Sequence, residues 1–365
     1  MLYVLSIDWL SLHCHANTDD FVPRPRRQED LLTSADFRNW RWTKADYGTR
    51  QFARLYFVSM PNAAGGYDDF AEVQAVPYSG ILNPYSVIVR FVNRVLYLPD
   101  FWDLALHFLE DNQFTPQGIT RIDICADFND FATIAPLTLI ESFASKALRH
   151  VGRGAGSLYF NHGVKRGEYS VKYTGLAFGT HGSDARVYLY DKSFELLCDK
   201  DKPYIRDIWK AAGLDVLHVW RLEVSIKSGG ATFKDKRTGE TVTIDADNAS
   251  DGKELAAIYH TFVQKLFSFV QNRPGIKNIT REPRIKLFED APAYDRGVIR
   301  NVSCSNRTVR MLIKSLSQLA DRFRGLDIAD HSELAKEFAA RVATSTDLSD
   351  WLQKKNPTWE TPTHL

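Results

Sequence analysis

The sequence predicts an α+β fold of duplicated ββαβα units, which form a curved, mostly antiparallel sheet with helices on one face, plus a C-terminal helical region. Strand-like runs with alternating apolar and polar residues recur along the chain, as a half-buried sheet requires. Runs with helical spacing follow them in the same order twice, and from about Ser303 helical spacing dominates. With 44% apolar and 12% aromatic residues among 365, the chain can fill a large core.

The first unit follows an N-terminal strand, LYVLSIDWLSL. Its predicted elements are two strands, a helix, a strand and a helix, at 51–59, 86–98, 100–110, 119–128 and 136–148. Asp100 is available as the N-cap of the first helix, and Pro136 suits the first turn of the second.

The second unit repeats that order without obvious sequence identity. Its predicted elements lie at 168–179, 185–192, 204–212, 216–227 and 253–270, and the stretch KDKRTGETVTI has a hairpin pattern at Thr238-Gly239. We therefore predict one domain over 1–275 with two pseudo-repeats, about 50–150 and 165–272. Residues 276–365 form a basic, mainly helical C-terminal region.

Charge and cysteine content narrow the cellular setting. The chain has 46 Lys and Arg against 45 Asp and Glu, so a polyanionic partner has to be met by a local basic surface. Its four cysteines are scattered, without a CxxC pair, which favours a reducing cytoplasm. No run approaches the ~20 apolar residues that span a bilayer, so we expect no membrane partner.

Three predicted strands share one design, with an apolar face and a face of charged and polar residues. In TRIDICADF the polar face carries Arg121, Asp123, Cys125 and Asp127. In WRLEVSIK it carries Arg221, Glu223, Ser225 and Lys227, and in ARVYLYDK it carries Arg186, Tyr188, Tyr190 and Lys192. One such strand is ordinary in a half-solvated sheet, but three, two of them at matching places, indicate a working surface.

The carboxylates of this surface predict a metal site. Acids that face one another across adjacent strands repel unless a cation or a proton lies between them. Asp123 and Glu223, with Asp127 or Glu195 nearby, are oxygen ligands suited to Mg²⁺ or Mn²⁺. An all-carboxylate site of this kind indicates phosphate chemistry.

A tyrosine beside such a site is a candidate nucleophile. Its phenol has a pKa near ~10 and is inert at neutral pH unless a metal, Lys or Arg stabilises the phenolate. Arg186 and Lys192 flank the tyrosines on the predicted face. We interpret Tyr190 as the nucleophile and Tyr188 as a packing aromatic, with Tyr188 as the alternative nucleophile.

The stretch FGTHGSDARVYLYDKSFE resembles the corresponding segment of the Rep_trans family, the rolling-circle replication initiators of small plasmids and phages and the related relaxases of conjugative elements. The matching positions are Gly179, Ser183, Asp184, Arg186, Tyr190, Lys192 and Glu195. RIDICADF and RLEVSIK resemble that family's two acidic strands, and IDWLSL resembles its N-terminal strand.

The resemblance implies that Tyr190 nicks one strand of origin DNA, becomes joined to the 5′ phosphate and releases a 3′ hydroxyl that primes synthesis. It implies that Asp123 and Glu223 hold the metal. The expected partners are origin DNA, single-stranded or supercoiled, and a host helicase. A relaxase with the same chemistry and a DNA-binding protein that cuts nothing are the alternatives. Whether the protein forms a homodimer is left undecided by the sequence.

A rival motif is His13-Cys14-His15, since another class of nicking enzymes uses His-x-His with a downstream Tyr-x-x-x-Lys. That class carries its tyrosine on a helix, whereas the tyrosines here alternate as in a strand. We interpret the two histidines as exposed strand residues.

The C-terminal region adds a candidate DNA contact. Between Lys277 and Arg324, eleven Lys or Arg stand against five acids, an excess that suits phosphates. Arg307, Arg310 and Lys314 have the spacing of one helix face, opposite an apolar stripe. A solvated helix face is the alternative.

Overall fold

The computed structural model describes residues 1–18, 34–37, 39–78, 82–152, 156–165, 168–180, 182–198, 202–228, 231–234, 241–275, 278–289 and 299–300. All of them belong to one compact unit, Met1–Asn301. The predicted DNA-binding residues Arg307, Arg310 and Lys314 lie outside the described residues.

The described residues form a large antiparallel sheet, a three-stranded sheet and a two-stranded sheet. The large sheet contains β1 (Tyr3–Ala16), β2 (Ser34–Phe37), β3 (Trp40–Lys44), β4 (Phe52–Pro61), β5 (Tyr67–Pro77), β6 (Ser86–Phe91), β7 (Phe114–Phe128), β9 (Gly156–Lys165), β10 (Glu168–Phe178), β11 (Ala185–Asp191) and β12 (Trp220–Lys227). The small sheets contain β8 (Leu148–His150), β13 (Thr232–Lys234), β14 (Thr241–Thr243), β15 (Phe269–Gln271) and β16 (Ile299–Arg300).

Six α-helices lie between these strands in the described part of the chain. They are α1 (Phe101–Asp111), α2 (Pro136–Ala144), α3 (Lys192–Cys198), α4 (Pro203–Ala211), α5 (Ala246–Ser250) and α6 (Gly252–Leu266). Pro136 stands in the first turn of α2, as predicted, and β13 pairs with β14 as the hairpin pattern predicts. None of the described helices has the length and apolar character that crossing a membrane requires.

The strand order of the large sheet is β2-β3-β4-β5-β6-β1-β7-β12-β11-β10-β9, with antiparallel neighbours throughout. The predicted α+β class with a mostly antiparallel sheet is therefore confirmed. The chain order β6-α1-β7-α2 recurs as β11-α4-β12-α6, apart from the short helix α3. The two acidic strands, β7 and β12, are neighbours at the centre of the sheet, and β1 lies on the other side of β7.

The main core lies under one face of this sheet. There β7 and β12 contribute side chains with no exposed surface, among them Ile124, Phe128 and Leu222, and α1, α2 and α6 pack against them. Alternation along the strands explains the arrangement, because every second residue of β7 and β12 is apolar. The opposite face carries the polar residues and is open where no helix covers it.

A second, smaller core covers one end of that opposite face. It consists of Leu196 from α3, Ile205 and Trp209 from α4, and Leu214 and Val219, with Val4 of β1 packed against it. The helices between β11 and β12 thus cover the polar face at one end, whereas α1, α2 and α6 pack on the apolar face. The prediction placed helices on one face of the sheet, whereas α3 and α4 lie on the other. Their position decides which polar residues of β7 and β12 meet solvent.

The segment after β15 also belongs to the main core. Ile285 donates its backbone N–H to Phe269, and the ring of Phe288 meets those of Tyr3, Phe128 and Tyr259 edge-on. The predicted domain boundary at 275 therefore separates this segment from the core against which it packs.

Candidate active site

The segment that follows β11 fixes the position of the candidate nucleophile. Asp191 accepts a hydrogen bond from the backbone N–H of Phe194 at 2.9 Å, which caps α3 and ends the strand. Ser193 donates to the carbonyl of Val216 and accepts from the backbone N–H of Val219, both at 2.8 Å. Asp191 and Ser193 thus hold the chain on the C-terminal side of Tyr190 in place.

The predicted alternation of β11 is confirmed up to Tyr190. Val187 and Leu189 have no exposed surface, while Arg186, Tyr188 and Tyr190 lie on the other face, paired with Ser225, Glu223 and Arg221 of β12. The prediction that Lys192 ends the strand is wrong, because the Asp191 cap begins α3 at this residue. Lys192 nevertheless turns back toward the hydroxyl of Tyr190.

We call Tyr190, Glu223, Lys192 and Glu195 the Tyr190 cluster. The Tyr190 hydroxyl donates to Glu223 Oε2 at 3.1 Å, and Lys192 Nζ lies 3.5 Å from the same hydroxyl. Lys192 is only 1% exposed and also donates to Glu195 Oε2 at 2.7 Å. A phenol thus touches both a proton acceptor and a cation, the arrangement that an activated nucleophile needs.

Tyr190 is more enclosed than its strand position alone suggests. It is 9% exposed, and its ring stacks on that of Tyr188 at 4.6 Å. Burial, together with the charge of Glu223, raises the pKa of Tyr190 well above its usual value. The phenol is therefore protonated at rest, and any attack by its oxygen requires transfer of that proton.

Glu223 has a pKa well above that of an ordinary glutamate. Burial and the charges of Asp123 and Asp8 raise its pKa to about 7, against the opposing attraction of Arg221 and Lys192. Such a carboxylate exchanges protons near neutral pH, which suits it to accept the proton of Tyr190.

Asp123 lies two residues along β7 from the strand partner of Glu223 and is 3% exposed. Arg121 donates to it from Nε at 2.9 Å and also from Nη2. The Arg121 guanidinium in turn lies over the ring of Trp9, 4.5 Å from its centroid. Asp123 therefore borders the Tyr190 cluster but has an arginine on both of its oxygens.

Asp8 is a site residue that the sequence interpretation missed. It lies at a β-bulge in β1, between Ile7 and Trp9, and its side chain reaches the polar face of the sheet, where Arg221 and Tyr97 donate to it. Although burial favours the neutral acid, Arg221 and Lys192 hold the pKa of Asp8 well below its usual range. An acid inside the run LYVLSIDWLSL, which has no other charged residue, was the available clue.

Asp127 belongs to a different group, which we call the Arg221 cluster: Arg221, Asp127, Asp8, Tyr97 and Trp209. Arg221 has no exposed side-chain surface and donates to both oxygens of Asp127 and to Asp8. Trp209 donates its indole N–H to Asp127 at 2.7 Å, and Tyr97 donates to Asp8 at 2.7 Å. The oxygens of Asp127 are thus occupied by α4 and β12.

Arg186, the remaining predicted catalytic residue, lies at the far side of Tyr188. It donates to the Tyr159 hydroxyl at 2.9 Å, and its guanidinium is 5.5 Å from the centroid of the Tyr188 ring. Burial raises the pKa of Tyr188 to about 12, with a further contribution from Tyr159. Arg186 is therefore nearer to Tyr188 than to the hydroxyl of Tyr190.

Within the described ranges, no group of three or more His, Cys, Asp or Glu is placed to hold a metal ion. The predicted ligands are divided between partners: Asp123 to Arg121, Asp127 to Arg221, Glu195 to Lys192 and Glu223 to Tyr190. His13, of the rival motif, contacts Ser86 at 3.2 Å near the other end of β1.

No protein-family model matches the chain, and no curated protein matches it in sequence. Among solved structures, the chain is similar to the rolling circle replication initiator protein from Geobacillus stearothermophilus, at a TM-score of 0.45 and 15% identity. The similarity covers 78% of this chain and 92% of that chain.

Proposed function

We propose that the chain initiates rolling-circle replication as a DNA nicking and joining enzyme, with Tyr190 as the nucleophile. The observation that carries the proposal is the contact of the Tyr190 hydroxyl with Glu223 at 3.1 Å and with the ammonium group of Lys192 at 3.5 Å. A proton acceptor and a buried cation on one phenol are what attack on a phosphodiester requires.

In the proposed reaction the Tyr190 oxygen attacks the phosphorus of one DNA phosphodiester. A bond forms between that oxygen and phosphorus, and the bond from phosphorus to the 3′ oxygen breaks. The phenol proton passes to Glu223, and the departing 3′ oxygen takes up a proton to become a hydroxyl. Lys192 stabilises the charge on the phenol oxygen during transfer. The phosphotyrosine link keeps the bond energy for rejoining.

A divalent cation, Mg²⁺ or Mn²⁺, is part of this proposal. Asp123, Glu223 and Asp8 are hard oxygen ligands of the kind such an ion prefers, and burial together with the charges of Asp123 and Asp8 raises the pKa of Glu223. Among the described residues they are not grouped as metal ligands, so binding would have to draw them together. When bound, the ion would polarise the scissile phosphate. Arg121 would have to leave Asp123 first, because it occupies both oxygens. Asp127, held by Arg221 and Trp209, is left out of the proposed ligand set.

The test uses the full chain, Mn²⁺ and a library of random single-stranded oligonucleotides, from which covalent adducts are isolated, sequenced and mapped to a residue by mass. We expect a phosphotyrosine adduct at Tyr190 and one preferred cut site. In Tyr190→Phe the adduct should vanish while DNA binding persists, because only the attacking oxygen is lost.

Tyr188→Phe is the matched control, since it removes the neighbouring hydroxyl from the same stack and should leave the adduct in place. DNA binding without any adduct from the unmodified chain would overturn the proposal in favour of a binding protein that cuts nothing. An adduct at Tyr188 would overturn the choice of nucleophile.

Binding of the ion has its own readout. Calorimetric titration of Mn²⁺ into the protein should show binding that Glu223→Gln and Asp123→Asn each weaken by tenfold or more. Glu141→Gln, on the exposed side of α2, serves as the control.

A further inference from the structure

A polar pocket opens on the same face of the sheet, on the side of Tyr188 away from Lys192. Its volume is about 210 Å³. Three cationic and three hydroxyl side chains line it: Arg121, Arg186, Lys227, Thr180, Ser183 and Ser225. Tyr188 and Glu223 complete the wall that faces the Tyr190 cluster.

The strand register brings these residues together from three strands. Lys227 of β12 pairs with Arg121 of β7, and Arg186 of β11 pairs with Ser225 of β12. Arg186 is four residues before Tyr190, roughly 13 Å along the strand at the usual rise. The pocket therefore lies beside the place where Tyr190 would react and shares Glu223 with the Tyr190 cluster.

The turn between β10 and β11 builds the remaining wall. Gly179 has φ +89°, and a Cβ there would lie 3.0 Å from the carbonyl oxygen of Ala185, so the turn favours glycine. The backbone N–H of Thr180 donates to Ser183 Oγ at 3.0 Å, and the two side-chain oxygens lie 3.2 Å apart. This contact holds both hydroxyls at the pocket.

The lining suits a single phosphate group. Guanidinium and ammonium groups with hydroxyl donors are what phosphate oxygens bind in proteins. Three cations and Glu223 line the pocket; Arg121 also pairs with Asp123, Arg186 also donates to Tyr159, and Arg186 and Lys227 have further partners. Its volume lies below the roughly 300 Å³ at which sites for whole small molecules begin, so a nucleoside would not fit.

We propose that this pocket binds a backbone phosphate of the DNA strand close to the phosphate that Tyr190 attacks. The assignment rests on the proposed function and names a second contact of the same site with its substrate. With one phosphate held in the pocket and another of the same strand beside Tyr190, the strand is fixed in register and direction. The pocket thereby selects which phosphodiester reaches the nucleophile.

The test measures binding of a fluorescent single-stranded thymidine oligonucleotide by anisotropy over a range of salt concentrations, in the Tyr190→Phe background so that no cutting occurs. Lys227→Gln should weaken binding about tenfold at low salt and reduce the salt slope by about 0.7, the value for one phosphate contact to a single strand. The control Lys210→Gln, on the exposed side of α4, should change neither.

A second pair of variants changes only charge. Ser225→Asp places a carboxylate in the pocket, whereas Ser225→Asn has nearly the same shape and no charge. Ser225→Asp should weaken binding by tenfold or more and Ser225→Asn by less than threefold, with circular dichroism checking that both are folded. Equal affinities for these two variants, or an unchanged slope in Lys227→Gln, would overturn the pocket assignment.

The two proposals fail independently. If the unmodified chain forms no adduct but Lys227→Gln lowers the salt slope, the pocket assignment stands and the nicking function fails. If adducts form normally and the slope is unchanged, the nicking function stands and the pocket assignment fails.

Discussion

Two polar clusters lie on the same face of β7 and β12, and they differ in how completely their charges are paired. In the Arg221 cluster, one guanidinium without exposed side-chain surface meets two carboxylates, and an indole and a phenol complete the hydrogen bonds. In the Tyr190 cluster, the hydrogen-bond partner of Glu223 is a phenol, and burial together with the charges of Asp123 and Asp8 raises its pKa to about 7. Complete pairing serves the fold, whereas incomplete pairing leaves a group ready to exchange a proton.

Position relative to the second core explains the difference. The Arg221 cluster lies where α4 covers the polar face, so its charges are enclosed and have to be neutralised by one another. The Tyr190 cluster lies at the edge of that cover, next to the open pocket beside Tyr188. At one end of β7 and β12, the Arg221 cluster thus supports the fold. A few residues further along, the same two strands form the candidate site.

The largest expected effect is on stability, from Arg221→Met. Removal of the guanidinium leaves Asp127 and Asp8 enclosed without their cation, which should lower the free energy of unfolding by about 3–5 kcal/mol. Urea denaturation at pH 7 measures it. The control Arg94→Met removes an exposed arginine 3.9 Å from Asp68 and should change stability by less than about 1 kcal/mol. Equal losses in the two variants would contradict a structural role for the Arg221 cluster.

A smaller effect of opposite sign is expected from Glu223→Gln in metal-free protein. The pKa of Glu223 is raised from 4.5 to about 7, so the ionised acid destabilises the fold above pH 7 and the cost fades as the pH falls toward 4.5. The variant should therefore be more stable than the parent by about 1–3 kcal/mol at pH 8 and equal to it near pH 4.5.

Thermal unfolding across this pH range, with EDTA present, measures the difference. Glu141→Gln, on the exposed side of α2, should show no such pH-dependent gain. A Glu223→Gln protein that is less stable than its parent at pH 8 would mean that the carboxylate is well paired and would remove the contrast between the clusters.

The smallest effect is expected from Tyr188→Phe. The substitution keeps the ring that stacks on Tyr190 at 4.6 Å and removes a hydroxyl at the pocket, so the free energy of unfolding should change by no more than about 0.5 kcal/mol. Urea denaturation measures it. A loss above about 2 kcal/mol would show that the Tyr188 hydroxyl is as firmly bound as the groups of the Arg221 cluster.

Much of this architecture is already present in local patterns. The alternation of TRIDICADF, WRLEVSIK and ARVYLYDK predicted which side chains share the polar face, and the helices at α1, α4 and α6 were predicted to within a few residues. These features depend on the two-residue period of a strand and the spacing of apolar residues in a helix, which neighbouring residues determine.

The roles of the individual acids required the folded chain. Asp123 and Asp127 occupy equivalent positions in the alternation of β7, yet Asp127 meets an arginine 94 residues later and a tryptophan 82 residues later. Asp8 joins the site through an arginine 213 residues later, and Tyr190 is enclosed because Tyr188 stacks on it. Contacts between residues so distant along the chain depend on how strands and helices pack, and the period of a single strand holds no information about them.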